Sequence, residues 1–137
     1  MSNALYSKAK ERFLGWQTSG DSIDMVNDDI KVALIDTALY TFNASNEYWS
    51  SASTAQVGSS VSLTSKTITN GVFDAADVVF TSVTGASIEA IILYKNSGFA
   101  GTSPLIAYID VVASGLPVTP NGGNITVQWA ASGIFTL

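Results

Sequence analysis

The sequence contains neither cysteine nor histidine. Without cysteine there is no disulfide framework and no thiolate chemistry. Without histidine the chain lacks the commonest metal ligand and the commonest general base, and the two absences together exclude Ser-His-Asp and Cys-His catalytic arrangements. The phosphate-binding motif Gly-x-x-x-x-Gly-Lys-Ser/Thr is also absent. We therefore expect a protein that is not an enzyme and that uses no cofactor and no metal.

Charged residues are scarce as well. They make up 12% of the 137 residues, against about 25% in a typical globular protein. The net charge is −5, and three of the six basic residues, Lys8, Lys10 and Arg12, lie within the first twelve positions. The acidic remainder lacks the Lys and Arg that contact phosphate, so we expect no binding to nucleic acid or to anionic membranes. No apolar run approaches the ~20 residues that span a bilayer, and the first ten residues do not resemble a signal peptide.

Residues 3–16 are the best helix candidate. Ser2 or Asn3 can cap the start, and Gly15 lies near the end. The pattern places apolar side chains on one stripe and charged side chains on the opposite face: Leu5, Ala9 and Phe13 on the stripe, with Leu14 and Trp16 beside it, and Lys8, Glu11 and Arg12 facing away. We divide the chain into an N-terminal helix or arm (1–16) and a single β domain (17–137). The helix either docks on that domain or is an arm that reaches a partner.

Two apolar runs, 88–94 and 105–112, flank a break rich in Gly, Ser and Asn. Each run has the length and β-branched content of a strand, and Gly98 and Gly101 can turn the chain between them. Both faces of both runs are apolar. Strict alternation would place Leu105, Ala107 and Ile109 opposite Ile106 and Tyr108. A strand that is apolar on both faces is covered on both, so we predict a hairpin at the centre of the sheet, covered by the N-terminal helix or by a second subunit.

Shorter patterns predict the other strands. Strands are expected at 30–37, 61–68, 78–83 and 125–130, with a tight turn at Asn70-Gly71, where both residues accept positive φ. The apolar end, 134–137, is expected to join a sheet or an interface. Six or seven strands with short turns predict a mainly β fold, an antiparallel β-sandwich or small barrel with a short N-terminal helix.

Two polar stretches interrupt this pattern. Residues 17–29 contain four aspartates without the spacing of a calcium-binding loop, so turn and cap roles explain them better than a metal does. Residues 43–60 are predicted to form a long surface excursion that carries Tyr48 and Trp49. These two aromatic side chains either form a contact surface or fold back onto the core.

One set of stretches runs in order through nearly the whole chain: 30–37, 67–77, 93–96, 103–110 and 115–123, closing with Trp129 and 134–137. The opening Ala4-Leu5-Tyr6, with the predicted basic helix after it, belongs to the same set. In these stretches the sequence resembles a family of small structural proteins of tailed bacteriophages, which are typically encoded among the head and tail morphogenesis genes. The resemblance implies a non-enzymatic component of the virion.

That resemblance allows two roles. In the first, the protein is a capsid decoration or cement protein, a homotrimer on the outer surface of the head that binds the major capsid protein. In the second, it is a tail, tail-tip or fibre component that contacts tail proteins or a host surface glycan. A bacterial surface adhesin module is a weaker possibility, disfavoured by the missing signal sequence. The candidate partner-contact residues are Lys8, Lys10, Arg12, Phe13, Tyr48, Trp49, Ile134, Phe135 and Leu137.

Overall fold

The computed structural model describes residues 3–15 and 22–137. Within these residues the chain forms one α-helix, ten short β-strands and three single-turn 3₁₀ segments, and the fold is mainly β as predicted. The elements are β1 (Ala4–Leu5), α1 (Ser7–Phe13), β2 (Ile30–Ile35), β3 (Gln56–Ser62), β4 (Thr67–Thr69), β5 (Val72–Asp74), β6 (Val78–Phe80), β7 (Ala90–Lys95), β8 (Leu105–Ile109), β9 (Ile125–Val127) and β10 (Phe135–Thr136), with 3₁₀ segments at Trp49–Ser51, Ser53–Ala55 and Ala100–Thr102.

A five-stranded antiparallel sheet forms the middle of the molecule. Its strand order is β1-β8-β7-β2-β3, so the predicted hairpin of β7 and β8 lies at its centre. Two smaller sheets, β10-β5-β4 and β6-β9, pack against one face of it. The sheets stack as a sandwich and do not close, so the sandwich prediction is confirmed and the barrel alternative is wrong.

Each face of the central sheet has its own hydrophobic core. The sheet-side core lies between the central sheet and the two small sheets, and it includes Val32, Leu34, Ile91, Leu93, Ile109, Phe73, Phe80, Val127, Trp129 and Ile134. The helix-side core lies under α1 and the segment 40–55, and it includes Tyr6, Ala9, Ala33, Ile35, Tyr40, Trp49, Ile92, Tyr94 and Tyr108. The second face of the hairpin is therefore covered by its own chain, and the fold does not need a second subunit for that purpose.

A β-bulge in β8 corrects the predicted alternation. Leu93 pairs with Ala107 while the next residue, Tyr94, pairs with Leu105, which leaves Ile106 as the extra residue. The bulge places Leu105 in the helix-side core together with Tyr108, while Ile106 joins Ala107 in the sheet-side core. Strict alternation placed Leu105 on the wrong face, because a period of two has no place for an inserted residue.

The small sheets follow the sequence patterns closely. Asn70 and Gly71 join β4 to β5 with φ of 53° and 79°, the positive values that this two-residue hairpin turn requires. Along β9 and just beyond it, Ile125, Val127 and Trp129 are buried while the residues between them are exposed. The indole of Trp129 donates a hydrogen bond to the carbonyl oxygen of Ala76 at 3.0 Å. The apolar chain end joins a sheet as β10, paired with β5.

Two predicted boundaries around β3 are wrong. The predicted strand 61–68 covers the end of β3, a turn and the start of β4, and Ser65 within that turn has a φ of 53°. The predicted excursion 43–60 extends too far, because β3 already begins at Gln56 and pairs with β2. Gly58 and Ser59 are exposed, so this strand lacks the apolar alternation by which a sequence signals a half-buried strand.

Candidate contact surface

The N-terminal segment packs on the β domain. Ala4 and Leu5 pair with Tyr108 and Ala107, and Tyr6 is completely buried. Asn3 does not cap α1. Its side-chain oxygen instead accepts hydrogen bonds from two backbone N–H groups just after β8, at 2.9 Å each. Ser2 and Trp16, the other predicted cap and helix-end residues, lie outside the described residues. This geometry fits the interpretation of a docked helix.

The basic residues of α1 lie in two different environments. Arg12, predicted to face away from the domain, is buried, so that prediction is wrong. Its Nη2 donates a hydrogen bond to Oε2 of Glu47 at 2.9 Å, and its guanidinium lies 5.6 Å from the centre of the Tyr48 ring. Lys8 instead forms a partly exposed ion pair with Glu11 at 3.1 Å, and Lys10 is exposed. Two of the three predicted basic contacts therefore remain at the surface, while Arg12 joins α1 to residues 47–48.

Replacing Arg12 by alanine is expected to destabilise the fold by about 2–3 kcal/mol. The substitution removes a charged hydrogen bond and buried packing, and the cost is moderated because Glu47 is 30% exposed and regains water. Lys8→Ala is the matched control on the same helix, and it should change the free energy of unfolding by no more than about 0.5 kcal/mol, since its ion pair is partly exposed. Urea denaturation of the two variants measures both values. Equal changes in the free energy of unfolding for the two variants would show that the burial of Arg12 contributes nothing to stability.

Of the two aromatic residues predicted on the excursion, Trp49 belongs to the core. Its side chain is 5% exposed and stacks on Tyr94 with ring centres 4.6 Å apart and planes 6° apart. Its backbone N–H donates to the carbonyl oxygen of Ser103 at 2.8 Å. Tyr48 is half-buried beside Arg12. Trp49 is thus not available for a partner or a glycan in this structure, and of the two alternatives its folding back onto the core is the one observed.

The C-terminal candidates also divide by exposure. Ile134 is buried in the sheet-side core, whereas Leu137 is 64% exposed. The half-buried ring of Phe135 lies between Phe13 and Phe73, with ring centres 6.1 and 5.3 Å away. The structure thus brings together two candidates that are far apart in sequence, Phe13 and Phe135, at the edge of the central sheet.

A groove opens beside this aromatic contact, between the edge strands β1 and β10. Its volume is about 250 Å³. The lining residues are Asn3, Ala4, Leu5, Ala107, Ile109, Ile134, Phe135 and Thr136, none of which is charged. Ile134 and Phe135 were among the predicted contact residues. The other lining residues could not be predicted, because strands that are far apart in the sequence form the groove together.

Sequence reasoning missed the most exposed aromatic side chain among the described residues. Phe99 is 77% exposed in the loop between β7 and β8. The sequence did contain a signal for Phe99. It is an aromatic residue between glycines in a polar loop, and an aromatic residue in a polar stretch is the criterion that selected Tyr48 and Trp49. Leu39 and Val111, 66% and 62% exposed, were missed as well. Both lie just beyond the ends of central strands.

Of the aspartates in the polar stretch 17–29, Asp24 acts in a turn as expected, whereas Asp28 and Asp29 also bind residues far away in the sequence. Asp24 accepts hydrogen bonds from the backbone and side chain of Asn27 at 3.0 and 2.8 Å, and these bonds lower its pKa. Asp28 pairs with Lys95 at 3.2 Å. Asp21 lies outside the described residues. In the part of the chain that is described, no group of three or more potential ligands could hold a metal ion.

Asp29 joins the ends of three strands of the central sheet. Its carboxylate accepts hydrogen bonds from Ser62 at 2.7 Å and from Asn96 at 3.0 Å. Burial raises the pKa of Asp29, but these hydrogen bonds and the nearby ammonium group of Lys31 outweigh it, so the pKa lies below its ordinary value. This cluster holds the chain before β2 against the ends of β3 and β7.

Neither the comparison with protein-family models nor the search of curated proteins found a match to this chain. None of the described helices has the length and apolar character needed to cross a membrane.

Proposed function

We propose that this protein is a structural component of a bacteriophage virion, a decoration or cement protein that binds the outer surface of the assembled head through the major capsid protein. One observation carries the proposal. The chain is poor in charged residues and presents large apolar side chains on turns and strand ends, although both faces of the central sheet are already covered. The sequence resemblance to small phage structural proteins supports a component of the virion, and it allows both the head role and the tail role.

The exposed apolar side chains are suited to a protein contact. Leu39, Phe99, Val111 and Leu137 are each more than 60% exposed. Burying such side chains against a partner contributes roughly 25 cal/mol per Å² of apolar area, before the costs of association are subtracted. Because charged residues make up only 12% of the chain, a contact need desolvate few charges. A surface of this kind suits a protein that attaches in many copies to the lattice of capsid subunits.

The copies are proposed to act as homotrimers whose binding site spans neighbouring capsid subunits. A protein that binds only the assembled shell stabilises that shell by mass action, since it has no affinity for dissociated subunits. The exposed candidates Lys10 and Leu137 and the half-buried Lys8 are proposed as contacts with the shell. Arg12, Trp49 and Ile134 are proposed to support the fold rather than to touch the partner, since all three are buried.

Particles that lack this protein should assemble normally but release their DNA at a lower temperature or under milder osmotic shock than complete particles. The physical reason is the loss of the stabilisation that binding supplies. The measurement is DNA release on heating and on rapid dilution from high salt, with purified protein added back as the control. Addition should restore resistance and should saturate at hundreds of copies per particle.

A different result would favour the tail role. Particles as robust as complete ones that fail to adsorb to cells, together with a copy number between a handful and a few tens, would reject the decoration role. Binding of the purified protein to unassembled capsid subunits as tightly as to shells would reject a site that spans neighbours.

A further inference from the structure

The dipeptide Asn-Gly occurs twice in this chain, at 70–71 and at 121–122. Asparagine is one of the chemically labile residues of proteins, and it is most labile before glycine, whose backbone nitrogen no side chain shields. That nitrogen attacks Cγ of the asparagine side chain. The attack needs a backbone N–H and a side-chain amide that are both free to move, and the structure separates the two sites by this requirement.

The Asn70 site meets the requirement. Among the described residues, neither the side chain of Asn70 nor the backbone N–H of Gly71 has a hydrogen-bond partner. Both residues are exposed, and so is every residue of β4, the strand that leads into the turn. Because β4 has only three residues and lies at the edge of its sheet, the turn can open locally at little cost and bring the nitrogen to Cγ.

The Asn121 site is held by hydrogen bonds on both groups. Gly122 donates its backbone N–H to the carbonyl oxygen of Val83 at 2.8 Å, and Oδ1 of Asn121 accepts a hydrogen bond from the N–H of Gly123 at 2.9 Å. The carbonyl oxygen of Gly123 in turn accepts from the N–H of Val83 at 3.0 Å. The nitrogen and the side chain must therefore each give up a hydrogen bond before they react, although this site is also exposed.

We propose that Asn70 is a site of spontaneous deamidation and that the loop around Asn121 protects the second Asn-Gly pair. In the first step the nitrogen of Gly71 bonds to Cγ of Asn70 while the bond between Cγ and the amide nitrogen breaks, and ammonia leaves with the proton of Gly71. The product is a neutral succinimide ring. Water then opens the ring at either carbonyl group, which gives aspartate or isoaspartate, and no other reactant is needed.

The hairpin turn itself requires the labile pair. Asn70 and Gly71 have φ of 53° and 79°, values that asparagine and glycine accept more readily than other residues do. A Cβ on Gly71 would also lie 2.9 Å from the backbone oxygen of Leu137. The residues that form the turn between β4 and β5 are therefore the ones that make it reactive.

Deamidation changes both the turn and the surface around it. Isoaspartate adds a carbon atom to the backbone of the turn, whose Gly71 carbonyl oxygen accepts a hydrogen bond from the N–H of Leu137 at 3.0 Å. Either product replaces a neutral amide by a carboxylate and makes the net charge of −5 more negative. The new charge lies near Ile68 and Leu137, which are 55% and 64% exposed, so this apolar surface becomes more costly to desolvate.

Peptide mapping of the incubated protein tests the proposal. The native chain is kept at mildly alkaline pH, which favours loss of the glycine N–H proton, and samples are digested with trypsin. The two sites fall on separate peptides, 67–95 and 96–137, and chromatography with mass spectrometry measures aspartate and isoaspartate in each. We expect the products to accumulate at residue 70 roughly tenfold faster than at residue 121, because two hydrogen bonds must break first at Asn121.

A second incubation in guanidinium chloride is the control, because it keeps the sequence and removes the fold. There the two rates should become similar, since each asparagine precedes a glycine in an unfolded chain. An Asn70→Asp chain supplies the chromatographic standard for the aspartyl peptide. Equal rates at the two residues in the native chain, or a native ratio that persists unchanged in guanidinium chloride, would overturn the proposal.

Discussion

Deletion of residues 1–15 is expected to leave a chain that does not fold stably. The deletion removes β1 and α1, and with them the buried ring of Tyr6, whose hydroxyl lies 2.8 Å from that of Tyr40. It also removes the Arg12–Glu47 ion pair and the Phe13–Phe135 ring contact. Losing one large aromatic core side chain costs about 3–5 kcal/mol, and the total is comparable with the roughly 5–15 kcal/mol that stabilises a whole domain. Thermal and urea denaturation measure the loss.

The control for this deletion keeps the packing and removes only the exposed charges. A chain carrying Lys8→Gln and Lys10→Gln should unfold within about 0.5 kcal/mol of the natural one, because surface substitutions of this kind have small effects. A deleted chain that melts like the full chain but no longer binds particles would contradict the expectation. It would show that the segment is an arm that reaches a partner.

Replacement of Trp49 by alanine is expected to destabilise the protein by about 3–5 kcal/mol, the usual cost of truncating a large aromatic core residue. The indole is 5% exposed and stacked on Tyr94, so its removal leaves a cavity in the helix-side core. Phe99→Ala is the matched aromatic control. Its ring is 77% exposed, and the substitution should change the free energy of unfolding by no more than about 0.5 kcal/mol.

Urea denaturation followed by intrinsic fluorescence measures both variants, since Trp129 remains as a probe in each. Particle binding measured on the same two proteins separates structure from contact. A Trp49→Ala protein with unchanged stability and lost binding would show that Trp49 faces a partner. We expect the opposite pattern, in which Trp49 acts through the fold and Phe99 through association.

Local chemistry by itself determined several parts of this protein. The turn at Asn70-Gly71 is set by two adjacent residues that tolerate positive φ, and both have positive φ in the structure. The alternation through Ile125, Val127 and Trp129 is set by a sheet with one buried face. The apolar hairpin of β7 and β8 is at the centre because only a strand covered on both faces can be apolar on both. Each of these signals depends on neighbours in sequence, which is why it could be predicted.

Tertiary structure decided the rest, because the deciding contacts join residues far apart in the chain. Arg12 follows the charged pattern of an exposed helix face, yet Glu47 and Tyr48 enclose it. The bulge at Ile106 depends on how β8 meets β7, and no local pattern marks it. The groove exists only because β1 and β10, from opposite ends of the sequence, lie side by side. Burial in a sandwich is set by which segments meet, and the pattern of a single segment does not contain that information.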